Sequence, residues 1–183
     1  MSIIVGVIWK LASWKDTALE YISQKLNVSI DIISQELKNI ARQQSIEINR
    51  ENLCELWKNI AHEFWDDYLA QRILDKNIEK EIILVGWMRQ IWQIKLFQNA
   101  WNFILINIHT DEKIRYQRMI KRNLPWDPKN LEQFNKIENI DDGWQWVQNI
   151  SECEKYANYQ VINNWNKQKL FQQLDEIIKN IKT

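Results

Sequence analysis

The residues with the clearest chemical meaning lie in segment 9–17, which reads WKLASWKDT. Lys15 follows an apolar run and opens a helical pattern, a place from which a lysine can reach phosphate oxygens. If Trp9 and Trp14 are read as glycine, the segment becomes GKLASGKDT. This is the GxxxxGK spacing of a phosphate-binding loop, in which backbone N–H groups and a helix N-terminus cradle phosphates. As written the pattern is broken, because an indole does not readily adopt φ > 0 and fills space that phosphates need.

The composition points to the same exchange along the whole chain. An average chain of this length has about 13 glycines, whereas this one has 3 glycines and 11 tryptophans. Several tryptophans stand where turns or helix ends are expected: Trp126 within NLPWDP, Trp165 after two asparagines, and Trp101 between a helical and a strand-like pattern. Genuine tryptophans would lie on buried faces instead. We therefore expect many of the tryptophans to occupy glycine positions.

Strands and helices must alternate to hold this loop. Apolar runs predict strands at 3–8, 82–85, 103–108 and 159–162, and a further short strand fits within 28–33. Helical spacing predicts helices at 16–26, 90–100, 112–122, 130–140 and 167–181, with several more between about 30 and 78. Such alternation implies right-handed crossovers and a parallel sheet covered on both faces. We predict a single α/β domain over residues 1–183, with three layers and a parallel, five-stranded sheet.

Four further segments carry a resemblance to a known family. They read RENL at 50–53 with LW at 56–57 and EFWDDYLA at 63–70, GWMR at 86–89, DEKIRYQR at 111–118, and NNW at 163–165. With the loop, they make nearly the whole chain similar to the P-loop nucleoside monophosphate kinase-like group. The closer similarity is to a nucleotide kinase-related family of archaea and small bacteria, whose members carry adenylate, cytidylate or dephospho-CoA kinase-like names.

This resemblance implies a three-layer P-loop NTPase fold. It also implies a helical NMP-binding insertion at about 30–78, a short lid at about 115–130, and ATP-dependent phosphorylation of a nucleoside or deoxynucleoside monophosphate, with dephospho-CoA as the alternative acceptor. The residues expected to bind ATP are Trp9, Lys10, Ala12, Ser13, Trp14, Lys15, Asp16, Thr17, Arg115 and Asn164.

The expected chemistry is phosphoryl transfer, which needs positioning and charge neutralisation. The catalytic side chains would be Lys15, Arg89, Arg118 and Arg122. Arg89 would clamp the acceptor phosphate, and Arg50 could help. Asp16 or Thr17 would hold Mg²⁺, directly or through water.

Two features leave alternatives open. Arg115, Arg118 and Arg122 share one helical face, so they could enter the site together as a lid closes, or form a solvated basic face at a helix C-terminus. Gly86 stands in the slot of the family's strand-end aspartate, so the usual second Mg²⁺ anchor is missing or supplied elsewhere.

Composition also excludes several classes of function. The formal net charge of zero gives no field to hold nucleic acid. Cys54 and Cys153 are too few for a disulfide framework and read as reduced thiols, and His62 and His109 lack any metal-binding spacing. The apolar run at 3–8 is too short for a membrane span. We expect a cytoplasmic monomer or homodimer with a small-molecule nucleotide substrate and no membrane partner.

Two explanations account for the tryptophans. In the first, the source organism reads UGA as glycine, and the written sequence has translated it as tryptophan; the richness in Asn, Ile and Lys fits an AT-rich genome. In the second, the tryptophans are real, and the chain is a pseudokinase or interaction module in which Trp9 and Trp14 plug the old site. About 1 kcal/mol or more of strain at each φ > 0 position favours the first.

Overall fold

The computed structural model describes residues 2–65, 67–124, 127–143 and 149–182. The side chains of residues 50 and 140–143 are not described. Trp126, Trp144 and Trp146 lie outside the described residues, so the expectation that Trp126 occupies a glycine position in a turn stays a prediction.

Five strands form one sheet, and every neighbouring pair is parallel. The order across the sheet is β2-β3-β1-β4-β5, which confirms the predicted five-stranded parallel sheet. The segment at 28–33 does contain a short strand, at the edge of the sheet. The strands are β1 Ile3–Trp9, β2 Ile30–Ile32, β3 Ile82–Gly86, β4 Asn102–His109 and β5 Tyr159–Ile162.

The helices agree closely with the predicted pattern. The helical region expected between about 30 and 78 resolves into three helices, and one short helix, α8, was not predicted. The helices are α1 Lys15–Leu26, α2 Ile33–Gln43, α3 Arg50–Glu63, α4 Tyr68–Lys76, α5 Ile91–Ala100, α6 Glu112–Arg122, α7 Leu131–Gly143, α8 Ile150–Glu154 and α9 Lys167–Lys182.

The two faces of the sheet carry separate hydrophobic cores. Along β1, Ile4 and Ile8 pack on the face covered by α2, α4 and α5, whereas Val5 and Val7 pack on the face covered by α1 and α9. This alternation follows from the two-residue period of a strand. Gly6 lies between them, and a side chain there would collide with the methyl group of Met88. The result is the predicted three-layer α/β arrangement.

Parallel pairing brings the ends of four strands to one edge of the sheet. The loop 10–14 follows β1, residues 87–90 follow β3, residues 110–111 follow β4, and residues 163–166 follow β5. Ligands of open α/β sheets bind at this carboxyl edge. The segments 86–89 and 163–165 and the start of segment 111–118 therefore lie at the same edge of the sheet as the loop. Across the parts of the chain that the structure describes, no helix combines the length and apolar character needed to cross a bilayer.

Candidate phosphate-binding site

The loop 10–14 lies between β1 and α1, in the strand–loop–helix context that the sequence predicts. The Ser13 N–H donates to the Lys10 carbonyl oxygen at 3.3 Å. Ala12 (φ 62°) and Trp14 (φ 63°) lie in the left-handed region. Left-handed residues within a turn direct neighbouring N–H groups into a common concavity that suits an anion. The first turn of α1 adds further unpaired N–H groups and the positive end of the helix dipole.

Lys15 begins α1 and carries the amine that phosphate binding needs. Its Nζ lies 2.7 Å from Asp16 Oδ1. The same amine lies 5.5 Å from the ring of Trp9 and 4.8 Å from the ring of Trp87. The guanidinium of Arg89 also lies over the Trp87 ring, at 4.3 Å. The Trp87 indole therefore contacts two of the cations that the sequence predicts to bind phosphate.

Arg118 lies beside the loop and is only partly satisfied. Its Nη2 donates to the carbonyl oxygens of Asn163 at 2.8 Å and Trp165 at 3.3 Å. Its guanidinium stacks 3.9 Å from the Trp14 ring, and burial lowers its pKa. Its Nη1 is buried without a hydrogen-bond partner in the described part of the chain. A buried, unpaired guanidinium nitrogen is a ready donor for an anion.

Arg115 is buried and its three guanidinium nitrogens are all engaged. Nε donates to the Thr110 carbonyl oxygen at 2.9 Å, and Nη1 donates to the Leu11 carbonyl oxygen at 3.3 Å. Nη2 lies 2.6 Å from a carboxylate oxygen of Glu138 on α7. Arg115 thus contacts the backbone of the loop, whereas the sequence predicted that it binds nucleotide directly.

Arg122, one helical turn beyond Arg118, is paired with a carboxylate. Its Nε and Nη2 donate to Asp127 at 2.9 and 2.6 Å. These hydrogen bonds raise the pKa of Arg122 and lower the pKa of Asp127. The negative charge of Asp16 also raises the pKa of Arg122, which indicates that Arg122 is within electrostatic reach of the loop. Of the three arginines on this helical face, two contact the loop region and the third pairs with Asp127.

The two asparagines after β5 have different roles. Asn163 is buried, and its Nδ2 donates to the Ser13 carbonyl oxygen at 2.8 Å. Asn164, which the sequence predicted as the nucleotide contact, accepts a hydrogen bond from the Asp111 N–H at 2.9 Å. The sequence did not single out Asn163, because Asn163 and Asn164 are adjacent and of the same type. Only their positions after the end of β5 decide which side chain contacts the loop.

The residues predicted to hold Mg²⁺ lie in the first turn of α1. Asp16 is exposed, and Thr17 is half-buried. Within the described residues, no group of three or more His, Cys, Asp or Glu side chains could hold a metal ion. A Cβ at Gly86 would come within 2.8 Å of a Leu19 methyl group, which would have to shift, and would lie in ordinary contact with the Trp9 ring at 3.4 Å.

Of the remaining predicted residues, Lys10 and Arg89 border the same edge. Lys10 Nζ donates to Ser151 Oγ at 2.9 Å, which ties the loop to α8. The Arg89 N–H donates to Gln93 Oε1 at 3.0 Å at the start of α5. Arg50 begins α3, and its side chain lies outside the described part of the chain.

Three of the tryptophans that the structure describes adopt backbone conformations that favour glycine. They are Trp14, Trp65 (φ 150°) and Trp87 (φ 69°), whereas none of the described glycines has positive φ. Trp9 lies within β1 and Trp101 is extended, with φ −149°. The expectation of φ > 0 at position 9 was therefore wrong, because strand pairing holds that residue extended. The bulk of the indole is then the remaining argument against tryptophan at this position.

A second feature is a cavity of about 670 Å³ in the helical region predicted to bind the acceptor. It lies between α2, α3 and the start of α4. Phe64 and Tyr68 stack at one side, with ring centroids 4.4 Å apart. Glu47, Glu55 and Glu63 line it together with a single arginine, Arg72.

Comparison with solved structures defines the class of fold. The chain resembles the shikimate kinase of Aquifex aeolicus with a TM-score of 0.56 and 9% sequence identity, over 98% of each chain. It resembles the protein TT1252 of Thermus thermophilus with a TM-score of 0.63 and 11% identity, over 100% of this chain and 98% of that one. Identities this low establish the fold alone. The protein has the fold of P-loop kinases.

Sequence comparison points to relatives without an assigned activity. The chain is 24% identical over 183 residues to a UPF0200 protein of Methanocaldococcus jannaschii, and the match covers 98% of this chain and 90% of that protein. No protein-family profile matches the chain.

Proposed function

We propose that the protein is an ATP-dependent phosphotransferase whose acceptor is a nucleoside or deoxynucleoside monophosphate. The observation that carries the proposal is the loop 10–14, where left-handed Ala12 and Trp14 precede the N-terminus of α1 and Lys15 and Arg118 supply cations. Backbone N–H groups, a helix dipole and two cations together suit a chain of phosphates. The transferred phosphoryl group needs this positioning and neutralisation more than covalent chemistry.

Each predicted residue has a distinct task in this reaction. Lys15 would neutralise the phosphates nearest the transfer. Arg118 would use its unpaired Nη1 on the nucleotide, and Arg89 would hold the acceptor phosphate. Asp16 or Thr17 would contact Mg²⁺, which would neutralise phosphate charge once bound. Arg122 would contact the phosphates only after its hydrogen bonds to Asp127 break.

The cavity between α2, α3 and α4 supports an acceptor with an uncharged ring. Three glutamates and one arginine among the lining residues give the cavity a negative balance, which disfavours a phosphate inside it, since like charges repel. The stacked Phe64 and Tyr68 offer aromatic faces to a nucleobase. In this arrangement the base enters the cavity, and the acceptor phosphate stays at the sheet edge near Arg89.

The backbone of the loop suits nucleotide phosphates, whereas the indole side chains of Trp9, Trp14 and Trp87 do not suit them. The rings of Trp9 and Trp87 surround the Lys15 amine, and Trp14 covers the guanidinium of Arg118. We infer that these positions are glycine in the protein that the source cell makes, through UGA read as glycine. Left-handed backbone at Trp14 and Trp87 supports this inference, because it strains any residue with a Cβ by about 1–2 kcal/mol.

The identity of these residues can be measured directly. Peptide mass spectrometry of the protein from its own source should find glycine at positions 9 and 14, and the gene should carry TGA there. Tryptophan in the peptides, or TGG codons at most of the 11 positions, would reject the recoding.

A non-catalytic function is the second candidate, and one observation favours it for the chain as written. The indoles of Trp14 and Trp87 stack on Arg118, Arg89 and Lys15 through cation–π contacts, which is a stable way to close the site. In that case the fold would serve as an interaction module, and titration calorimetry would detect no ATP binding.

Turnover assays test the phosphotransferase proposal. The protein with glycine at 9, 14, 65 and 87, called the glycine version below, is incubated with ATP, Mg²⁺ and a panel of nucleoside monophosphates, deoxynucleoside monophosphates and dephospho-CoA. We expect ADP release with at least one monophosphate. Lys15→Ala should abolish it, whereas Lys113→Ala, an exposed lysine on α6, should not. Absence of turnover with every acceptor contradicts the proposal, and turnover with dephospho-CoA alone selects the other acceptor.

A further inference from the structure

Two side chains from outside the loop hold its carbonyl groups. Arg115 on α6 donates from Nη1 to the Leu11 carbonyl oxygen at 3.3 Å, and Asn163 after β5 donates from Nδ2 to the Ser13 carbonyl oxygen at 2.8 Å. Both donors are buried, at 4% and 1% exposure. The carbonyls that they hold belong to the residues immediately before Ala12 and Trp14.

The geometry of the peptide bond gives these contacts a consequence. In a trans peptide, the C=O of one residue and the N–H of the next point in opposite directions. Holding the Leu11 carbonyl therefore turns the Ala12 N–H away from Arg115, and holding the Ser13 carbonyl turns the Trp14 N–H away from Asn163. Ala12 and Trp14 are also the two loop residues with left-handed backbone.

Both residues make further contacts within the protein. The other two guanidinium nitrogens of Arg115 are occupied by Thr110 and Glu138, and its guanidinium lies 5.4 Å from the Phe134 ring. The backbone of Asn163 is fixed as well, since its N–H donates to the His109 carbonyl oxygen at 2.7 Å. Both residues are thus anchored by contacts besides those to the loop.

We propose that Arg115 and Asn163 are positioning residues that aim the N–H groups of residues 12 and 14 into the phosphate-binding concavity. The inference rests on the proposed function of this loop. Glu138 extends the support to α7, because its carboxylate lies 2.6 Å from Arg115 Nη2. The loop shape is therefore set by α6, α7 and the end of β5, and not by its own sequence alone.

Two variants of the glycine version separate positioning from general stability. Asn163→Ala removes one support. Arg115→Lys keeps the charge beside Glu138, but its compact ammonium lacks the planar fork that reaches Thr110, Leu11 and Glu138 from three separate nitrogens. Asn77→Ala is the matched control, because Asn77 is also buried and donates from Nδ2, to Asp31 at 2.9 Å and to the Ile73 carbonyl oxygen at 2.8 Å, without contacting the loop.

We expect amide hydrogen exchange to accelerate at residues 10–14 in Asn163→Ala and Arg115→Lys, and to stay unchanged there in Asn77→Ala. The ATP dissociation constant from calorimetry should rise about ten- to a hundredfold, as for one lost charge-assisted hydrogen bond. The KM for ATP should rise likewise, while the KM for the acceptor stays the same.

The outcomes of this experiment can be distinguished from the outcomes of the test of the proposed function. If both variants match Asn77→Ala in loop exchange, the positioning proposal is overturned whatever the enzyme does. If the glycine version fails to bind ATP, the proposed function fails, and loop exchange alone decides whether the two residues support the loop. If Asn163→Ala does not fold, Arg115→Lys and the shape-preserving Glu138→Gln give the same readout.

Discussion

Replacement of Trp14 by glycine in the chain as written measures the strain in the loop. Trp14 has φ 63° and ψ 37° at the position before α1. A left-handed backbone costs a residue with a Cβ about 1–2 kcal/mol, and glycine removes that term. Trp92 on α5 is the control, because it is a partly exposed tryptophan within a helix. There glycine is unfavourable by about 0.5–1 kcal/mol.

The difference between the two variants follows from these terms. The conformational contributions differ by about 1.5–3 kcal/mol in favour of Trp14→Gly. Loss of the cation–π contact between Trp14 and Arg118, at 3.9 Å, offsets about 0.5–1 kcal/mol of this. We therefore expect Trp14→Gly to leave the protein about 0.5–2.5 kcal/mol more stable than Trp92→Gly does.

Urea unfolding followed by far-ultraviolet circular dichroism gives the two free energies of unfolding without relying on indole fluorescence. Trp87→Gly, at φ 69°, should behave like Trp14→Gly. Equal destabilisation by glycine at positions 14, 87 and 92 would refute the reasoning, since the left-handed backbone would then carry no measurable strain.

Three further outcomes are expected. Lys15→Ala in the glycine version should lower kcat at least a hundredfold in the ADP-release assay, since it removes a charge from the transferring phosphate. Gly6→Ala should destabilise the protein by about 1–3 kcal/mol in urea unfolding, because its methyl group would meet Met88. The pKa of Asp127 is lowered by Arg122, so the pair stabilises the fold above the unfolded pKa of about 3.9 and loses this as pH falls through the lower folded value. Asp127→Asn should therefore shift the urea midpoint at pH 7 more than at pH 3.

Most of the fold could be predicted from the sequence because local patterns specify it. The strand predicted at 3–8 is a continuous apolar run, as a strand covered on both faces requires. The helix over Glu112–Arg122 has the same bounds in the prediction and in the structure. The short helix Ile150–Glu154 escaped prediction, since five residues carry no measurable period. Trp101 was expected to close a helix as glycine does, but the chain enters β4 directly and stays extended.

The site was harder to predict because its contacts join distant parts of the chain. The spacing of Arg115, Arg118 and Arg122 correctly gives one helical face. It does not reveal which arginine already forms hydrogen bonds and an ion pair within the protein. That depends on Glu138 and on the Leu11 carbonyl, which are separated from Arg115 by 23 and 104 positions. Asn163 likewise acts across 150 positions on Ser13.

The aromatic cluster at the sheet edge has an optical consequence. The rings of Trp9 and Trp87 lie 6.3 Å apart at an interplanar angle of 70°, close enough for their electronic transitions to couple. A chain with these indoles should absorb strongly near 280 nm and show a paired signal in near-ultraviolet circular dichroism that Lys15→Ala perturbs. A chain with glycine at both positions should lack that signal, so a spectrum of the purified protein reports which residues the cell inserted.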